Sequence, residues 1–163
     1  MDETTKTVGV VPQDTLLSYD GLSFLKAIID GELPAPPITQ TLGFYLAAAD
    51  HGRAVFEGEP QFRHYNPIGV VHGGFAMTLL DSALGCAVHS TLAKGEAYTT
   101  LEVKINLVRP LTKETGLIAA EGRILHRGRA IATAAGEIKD RAGKLYAHAT
   151  TTCMIFPAKG RTA

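Results

Sequence analysis

Apolar and polar residues alternate in the second half of the chain, which is the pattern of strands with one buried face. The clearest case is residues 101–108, where every second residue is apolar: Leu101, Val103, Ile105 and Leu107. Three more extended runs follow, at about 115–126, 129–139 and 144–156. The connections between them are short enough for hairpins, so the pattern predicts four antiparallel strands.

Helical periodicity replaces the alternation in two other places. Residues 20–31 repeat apolar side chains every three or four positions, which predicts a short amphipathic helix. From Gly74 to about Ala93, helix-forming residues continue until Lys94-Gly95, a good C-terminal signal. This second helix is apolar on almost every side, so other elements must surround it.

A further strand signal lies between the two helices, on both sides of the turn at Asp50-His51-Gly52. The order of elements predicts an α+β domain in which a curved antiparallel sheet of about six strands wraps the long helix. Small side chains alternate along one run and suit a sheet close to a helix: Ala130, Ala132, Ala134, Gly136 and Ile138. Residues 1–37 are expected to form an N-terminal arm with the short helix, 38–157 the main domain and 158–163 a tail.

Composition narrows the class of protein. A chain of 163 residues is long enough for one domain. Sixteen basic residues balance sixteen acidic ones, and this net charge of zero argues against a general nucleic-acid binder. The N-terminus lacks the basic and apolar regions of a signal peptide, and Asp81 argues against a membrane span at 65–93. Cys86 and Cys153 lie far apart in apolar runs, which predicts reduced thiols and a cytoplasmic location.

One stripe of the long helix combines small and polar residues: Gly74, Thr78, Asp81, Gly85 and His89. Asp81 is the exception on this helix, because aspartate is a poor helix-interior residue and is costly to bury without a partner. Two interpretations are open for it. Asp81 is either a hydrogen-bonded, partly exposed structural residue, or a buried general base or nucleophile.

The segment His72-Gly73-Gly74 stands directly before this helix. The first N–H groups of a helix have no internal partners and lie at the positive end of its dipole, and glycines let a carbonyl approach them. The segment is therefore a candidate oxyanion site for a reaction that places negative charge on a carbonyl oxygen. The simpler interpretation is a tight turn into the helix. The carboxylate further along the same helix favours the catalytic interpretation.

No metal and no separate cofactor are expected. The histidines have no zinc-ligand spacing and no cysteine close to them in sequence. Cys86 is interpreted as a small core side chain, and Ser82 lacks the strained turn of serine hydrolases.

The string NPIGVVHGGFAMTLLDSALGCA at residues 66–87 resembles the signature of hotdog-fold acyl-CoA thioesterases, in particular the PaaI-like branch of phenylacetate degradation. In that branch an Asn lies six residues before the His of HGG and an acid nine after it, as Asn66 and Asp81 do around His72. A related branch has Glu, and Thr four residues later, where this chain has Asp81 and Gly85. The resemblance covers about residues 40–156 and implies the hotdog fold.

The resemblance implies a role for each matching residue. Asp81 would activate water or attack the thioester, and the N–H of Gly73 would polarise its carbonyl. Asn66 and His72 would hold the carbonyl or the water, which Thr99 would help to orient. The residues implied to contact the rest of the substrate, including the phosphates of coenzyme A, are Gly74, Arg109, Arg127 and Arg129. Each arginine also has a plainer interpretation as a solvated charge in a turn.

Members of this family join two protomers through the edges of their sheets, so the resemblance implies a homodimer or homotetramer with active sites at the dimer interface. The acid would come from the subunit opposite the HGG loop, and monomers would be inactive.

The sequence thus predicts a thioester hydrolase that releases an acid and coenzyme A. Phe75, Met77 and Leu80 are candidates to line an aryl or medium-chain acyl pocket. Two alternatives are open. One is a hotdog hydratase or dehydratase with His72 as base and Asp81 as its partner. The other is a non-catalytic acyl-CoA-binding domain.

Overall fold

A long helix packed into a curved antiparallel sheet organises the protein, and the computed structural model describes residues 7–158. The helices are α1 (Gln13–Ser18), α2 (Gly21–Ile29), α3 (Pro37–Leu42) and α4 (Gly73–His89). The strands are β1 (Phe44–Asp50), β2 (Arg53–Gly58), β3 (Glu96–Leu107), β4 (Ile118–Arg127), β5 (Ile131–Asp140) and β6 (Leu145–Pro157). They form one six-stranded sheet in the order β1-β2-β4-β5-β6-β3, and every neighbouring pair is antiparallel. The predicted α+β architecture is confirmed.

Helix α4 is the centre of the hydrophobic core. Its side chains at Leu79, Leu80 and Leu84 are completely buried, and burying each of them contributes roughly 1.5–3 kcal/mol. Of the residues expected to face the helix, Ala132, Ala134 and Ile138 of β5 are completely buried, whereas Ala130 lies before β5 and is exposed. The helix ends four residues before the expected end near residue 93. No helix within residues 7–158 combines the length and apolar character needed to cross a membrane.

Helix α2 confirms the amphipathic helix that the sequence predicts after Asp20. The Asp20 carboxylate caps it by accepting a backbone N–H at 3.0 Å. Gly21, its first residue, donates its N–H to the carbonyl of Leu92 at 2.9 Å. Phe24 packs on the ring of His89, with ring centres 5.3 Å apart. Helix α2 therefore covers the outer side of α4 near its C-terminal end.

Three elements differ from the sequence-based expectation: α1, α3 and β3. Helix α1 forms in a segment expected to be irregular, and it buries no residue, so no hydrophobic period signals it. Helix α3, which begins at Pro37, also forms where the sequence did not predict a helix, and proline suits its first position. Strand β3 begins at Glu96, five residues before the alternation, and Leu101 lies in a β-bulge. The rest of the predicted arm and tail, residues 1–6 and 159–163, lies outside the described residues.

A glycine in β4 lets helix α4 approach the sheet closely. A Cβ atom on Gly122 would lie 2.4 Å from the carbonyl oxygen of Ala83, which is backbone that cannot rotate away. The helix position therefore depends on the missing side chain.

We expect Gly122→Ala to lower the free energy of unfolding by about 1–3 kcal/mol or more, because the added methyl group must push helix and sheet apart. Gly9→Ala is the control, since a Cβ at Gly9 would meet its nearest atom, on Pro34, at an ordinary 3.6 Å. Urea unfolding followed by circular dichroism measures both variants. Equal midpoints for the two variants would contradict the proposed contact.

Candidate active site

The first turn of α4 presents a free backbone donor. His72 caps the helix, and its Nδ1 atom accepts the N–H of Gly74 at 2.9 Å. Among residues 7–158, no group accepts the N–H of Gly73. This unpaired N–H lies at the positive end of a 17-residue helix, where a developing negative charge is stabilised.

The cap also fixes how His72 can act. A neutral imidazole has one acceptor nitrogen and one N–H donor. Because Nδ1 of His72 accepts the N–H of Gly74, Nε2 carries the proton and His72 is a hydrogen-bond donor toward a ligand. The side chain is exposed, so Nε2 is accessible.

Asn66 is a second donor in the same region. Its Oδ1 atom accepts the backbone N–H groups of Ile68 at 3.1 Å and Val70 at 3.4 Å. The carbonyl side of the amide is thus occupied within its own loop, and the Nδ2 amide group is left to donate. Asn66, His72 and Gly73 line a common cavity of about 270 Å³.

Asp81 lies on the exposed side of α4, so of the two open interpretations the single chain matches the exposed, hydrogen-bonded one. Its Oδ1 atom accepts a hydrogen bond from Thr100 Oγ1 at 3.1 Å. Thr99, the hydroxyl expected near Asp81, lies on the opposite face of β3. Thr100 is paired with the buried Cys153, whereas the exposed Thr99 is paired with the exposed Met154.

The free N–H of Gly73 and the carboxylate of Asp81 are too far apart to act on one carbonyl within a single chain. They are separated by eight residues of continuous helix, and a rise of 1.5 Å per residue puts about 12 Å between their backbones. The chain therefore carries two half-sites, one of donors at the start of α4 and one of acceptors at Asp81.

Strand β3 is an edge strand of the sheet and pairs with β6, while β1 forms the other edge. Large apolar side chains are exposed along it and on the neighbouring face of α4: Leu101 is 55% exposed, Leu107 is 55% exposed and Met77 is 44% exposed. An exposed apolar edge strand is a template for pairing with another chain. Phe75 and Leu80, the other two residues expected to line an acyl pocket, are buried in the core.

The three arginines expected to bind coenzyme A have different surroundings. Arg127 is ion-paired with Glu96 at 2.8 Å and contacts the carbonyl of Gly128, so its charge is already engaged. Arg109 is exposed, donates to the carbonyl of Leu145, and lines the same cavity as Asn66. Arg129 is exposed in the loop between β4 and β5. Arg109 is therefore the arginine at the cavity.

Both cysteines are free thiols, Cys153 buried and Cys86 partly buried. Burial, with a smaller contribution from the charge of Asp81, raises the pKa of Cys86 to about 12. Burial also raises the pKa of Cys153. Neither thiol is a reactive nucleophile at neutral pH. Within the described part of the chain, no three His, Cys, Asp or Glu side chains cluster as metal ligands would.

Comparisons with known proteins agree on one family. A family model described as the thioesterase superfamily matches residues 68–147. A protein of Saccharolobus solfataricus named as an esterase is 32% identical over 83% of this chain and 94% of its own. A 1,4-dihydroxy-2-naphthoyl-CoA hydrolase of Listeria monocytogenes is 25% identical over 76% of this chain and 98% of its own. The crystal structure of a phenylacetic acid degradation-related thioesterase from Ralstonia eutropha has a TM-score of 0.73 and 32% identity, covering 80% of this chain and 98% of that one.

The long helix on a curved six-stranded sheet is the hotdog fold, and the first turn of the helix carries a donor site suited to a carbonyl oxygen. The chain belongs to the thioesterase superfamily and is a thioester hydrolase similar to the PaaI-like members.

We expect Thr100→Val to lower the rate of thioester hydrolysis roughly tenfold, because Asp81 loses the hydroxyl that orients it. Thr99→Val is the matched control, since it makes the same change one residue away on the opposite face of β3, and it should stay within about twofold of wild type. Release of free thiol from an acyl-CoA measures both rates. A larger effect at Thr99 than at Thr100 would contradict the assignment.

Proposed function

We propose that the protein hydrolyses an acyl-CoA thioester to a carboxylic acid and coenzyme A at sites formed between two protomers. The observation that carries this proposal is the pair of half-sites on one helix. The N–H of Gly73 and the Nδ2 amide of Asn66 bind the thioester carbonyl oxygen and stabilise the negative charge that forms on it. The Nε2–H of His72 donates to the same oxygen or to the attacking water.

Asp81 of the partner protomer acts as the general base. It takes a proton from a water molecule as the water oxygen attacks the thioester carbon. The tetrahedral intermediate then breaks its carbon–sulfur bond, and the thiolate of coenzyme A receives the proton held by Asp81. The hydrogen bond from Thr100 leaves the hydroxyl oxygen of Thr100 free to accept from that water. Direct attack by Asp81 on the carbonyl carbon is the alternative route.

The contacts of α4 support a dimer in which β3 pairs with β3 of the partner. Gly73 lies against Leu107, because a Cβ on this glycine would be 2.6 Å from the Leu107 side chain. Asp81 lies against Thr100, near the other end of β3. Antiparallel pairing of two copies of β3 puts the end of one strand beside the beginning of the other. Gly73 of one protomer then faces Asp81 of its partner.

The tautomer of His72 argues against the hydratase alternative. Adding water to, or removing it from, an acyl chain requires a base at carbon, and His72 was the candidate base. Its Nδ1 atom is occupied by the N–H of Gly74 and its Nε2 atom carries the proton, so His72 has no free lone pair for that role. A non-catalytic binding domain would have no use for the hydrogen-bonded carboxylate of Asp81 beside the carbonyl.

For the acyl group we propose an aryl or arylacetyl substituent. The relatives that support this class are the dihydroxynaphthoyl-CoA hydrolase and the thioesterase related to phenylacetic acid degradation. Met77 lies one turn before Asp81 and is the exposed, adaptable side chain that an aromatic ring would contact.

Coenzyme A enters as part of the substrate, with Arg109 near its phosphates and no separate cofactor. Two reduced thiols fit a cytoplasmic location.

We expect Asp81→Asn to lower turnover by about 10²–10⁴-fold while leaving the binding of the thioester nearly unchanged, because the amide cannot accept the proton from water. Release of free thiol from phenylacetyl-, benzoyl-, hexanoyl- and crotonyl-CoA gives the rates and ranks the acyl groups. Ser82→Ala is the control on the same helix, since the Ser82 hydroxyl bonds back to the Thr78 carbonyl. An Asp81→Asn variant within a few-fold of wild type would rule out the base, and hydration of crotonyl-CoA without thiol release would favour the hydratase.

Mixing two inactive variants tests whether two protomers share each site. Asp81→Asn removes the base, and Asn66→Ala removes a donor of the other half-site. A heterodimer of the two variants has one site with both changes and one site with neither. Random mixing should therefore restore about a quarter of the wild-type activity. A mixture no more active than the average of its parents would place the base and the donors in one chain.

A further inference from the structure

The loop that carries Asn66 and His72 is closed at its base by a buried histidine that has no role in the mechanism above. His64 is 7% exposed. Its carbonyl oxygen accepts the N–H of His72 at 2.7 Å. The adjacent residues, Tyr65 and Val71, form an antiparallel bridge. The backbone at His64 therefore fixes the point where the chain turns into the candidate oxyanion site.

The His64 side chain contacts both sides of this junction. Its Nδ1 atom accepts the N–H of Gln61 at 3.0 Å, which holds the short turn before the loop. Its ring stacks on Phe75 with ring centres 4.3 Å apart and an angle of 18° between the planes. Phe75 lies in the first turn of α4, two residues after Gly73. One imidazole thus connects the start of the loop with the start of the helix.

We propose that His64 is a positioning residue, which in its neutral form holds the N–H of Gly73 and the amide of Asn66 in the geometry that binds the thioester carbonyl. This inference rests on the proposed function, since it assigns a purpose to the alignment of those two donors. His64 touches no reacting atom, so it acts through the loop and the helix turn.

The hydrogen bonds of His64 require the neutral ring. Both ring nitrogens face N–H donors: Nδ1 lies 3.0 Å from the N–H of Gln61, and Nε2 lies 3.2 Å from Nε of Arg63. A ring with a proton on each nitrogen could accept neither. Arg63 is the charged side chain that contacts the ring, while α3 supplies the Leu42 carbonyl and α4 the Phe75 ring.

Burial, followed by the charge of Arg63, lowers the pKa of His64 below its ordinary value. The folded loop therefore binds a proton less readily than the unfolded chain does. The contribution of His64 is complete above its ordinary pKa of about 6.5 and is lost progressively as the pH falls through the lowered value. A second proton on the ring would face the N–H of Gln61 and open the base of the loop.

The experiment compares His64→Phe and His64→Asn with wild type and with His89→Phe. Phenylalanine keeps the stacking on Phe75 but has no acceptor for the N–H of Gln61. Asparagine can place an acceptor oxygen near the position of Nδ1 and cannot be protonated. His89 is the matched control, because it also packs against aromatic rings, has a pKa lowered to about 4 by burial, and lies at the opposite end of α4.

We expect His64→Phe to lower kcat by roughly 10–100-fold with KM within about threefold, because coenzyme A still binds while the donors at the carbonyl are displaced. His64→Asn should keep kcat within about fivefold of wild type at pH 7.5, and its activity should fall at a lower pH than that of wild type. His89→Phe should leave kcat, KM and the pH profile unchanged. Equal effects of His64→Phe and His89→Phe, or an acid limb that does not move in His64→Asn, would overturn the proposal.

Amide hydrogen exchange of residues 64–74 in the wild type and in His64→Asn provides a readout independent of catalysis. After correction for the intrinsic effect of pH, exchange in this segment should rise between pH 7.5 and 5 in wild type and stay flat in His64→Asn. Identical pH dependence in both proteins would overturn the proposal even if His64→Phe does not fold. Wild type that hydrolyses no thioester would overturn the proposed function, whereas exchange would still decide whether His64 closes the loop.

Discussion

The distance between Gly73 and Asp81 along helix α4 is the constraint on which the proposed site depends. Helix α4 is rigid and buried on most sides, so the distance between the N–H of Gly73 and the carboxylate of Asp81 cannot shorten within a chain. Eight residues at 1.5 Å each leave about 12 Å between groups that must meet within about 3 Å of one carbonyl. The helix thus presents both halves of the chemistry and at the same time prevents them from meeting in one protomer.

The sheet reinforces this constraint by fixing where the helix sits. Gly122 and the alanines of β5 let α4 lie close against β4 and β5, and the buried leucines hold it there. Helix α2 covers the far end of the outer side, where Phe24 packs on His89. The part of α4 left exposed is the part next to β3, with Met77 and Asp81. The fold therefore directs the acid of α4 toward the β3 edge of the sheet, which an identical chain can extend.

The sequence predicted the fold well, because alternation and helical periodicity both report which side of an element is buried. The sequence also predicted where α4 starts, because the segment His72-Gly73-Gly74 directly precedes the run of helix-forming residues. It did not identify Thr100 as the hydroxyl that contacts Asp81, since neighbouring residues of a strand face opposite sides and the bulge at Leu101 interrupts the alternation. It left the burial of Asp81 open, because the neighbours of this residue are apolar but the group that would cover it in the proposed dimer belongs to another chain.

His64 could not be identified from the sequence, because a histidine in a non-periodic loop gives no signal of what its ring contacts. In the structure, His64 and His72 each accept a backbone N–H at Nδ1. Both rings must be neutral, and both arrange donors around the start of α4. In the proposed dimer one protomer supplies these donors and the other supplies the carboxylate acceptor. Each half polarises or accepts but cannot do both, so the proposal confines hydrolysis to the assembled dimer.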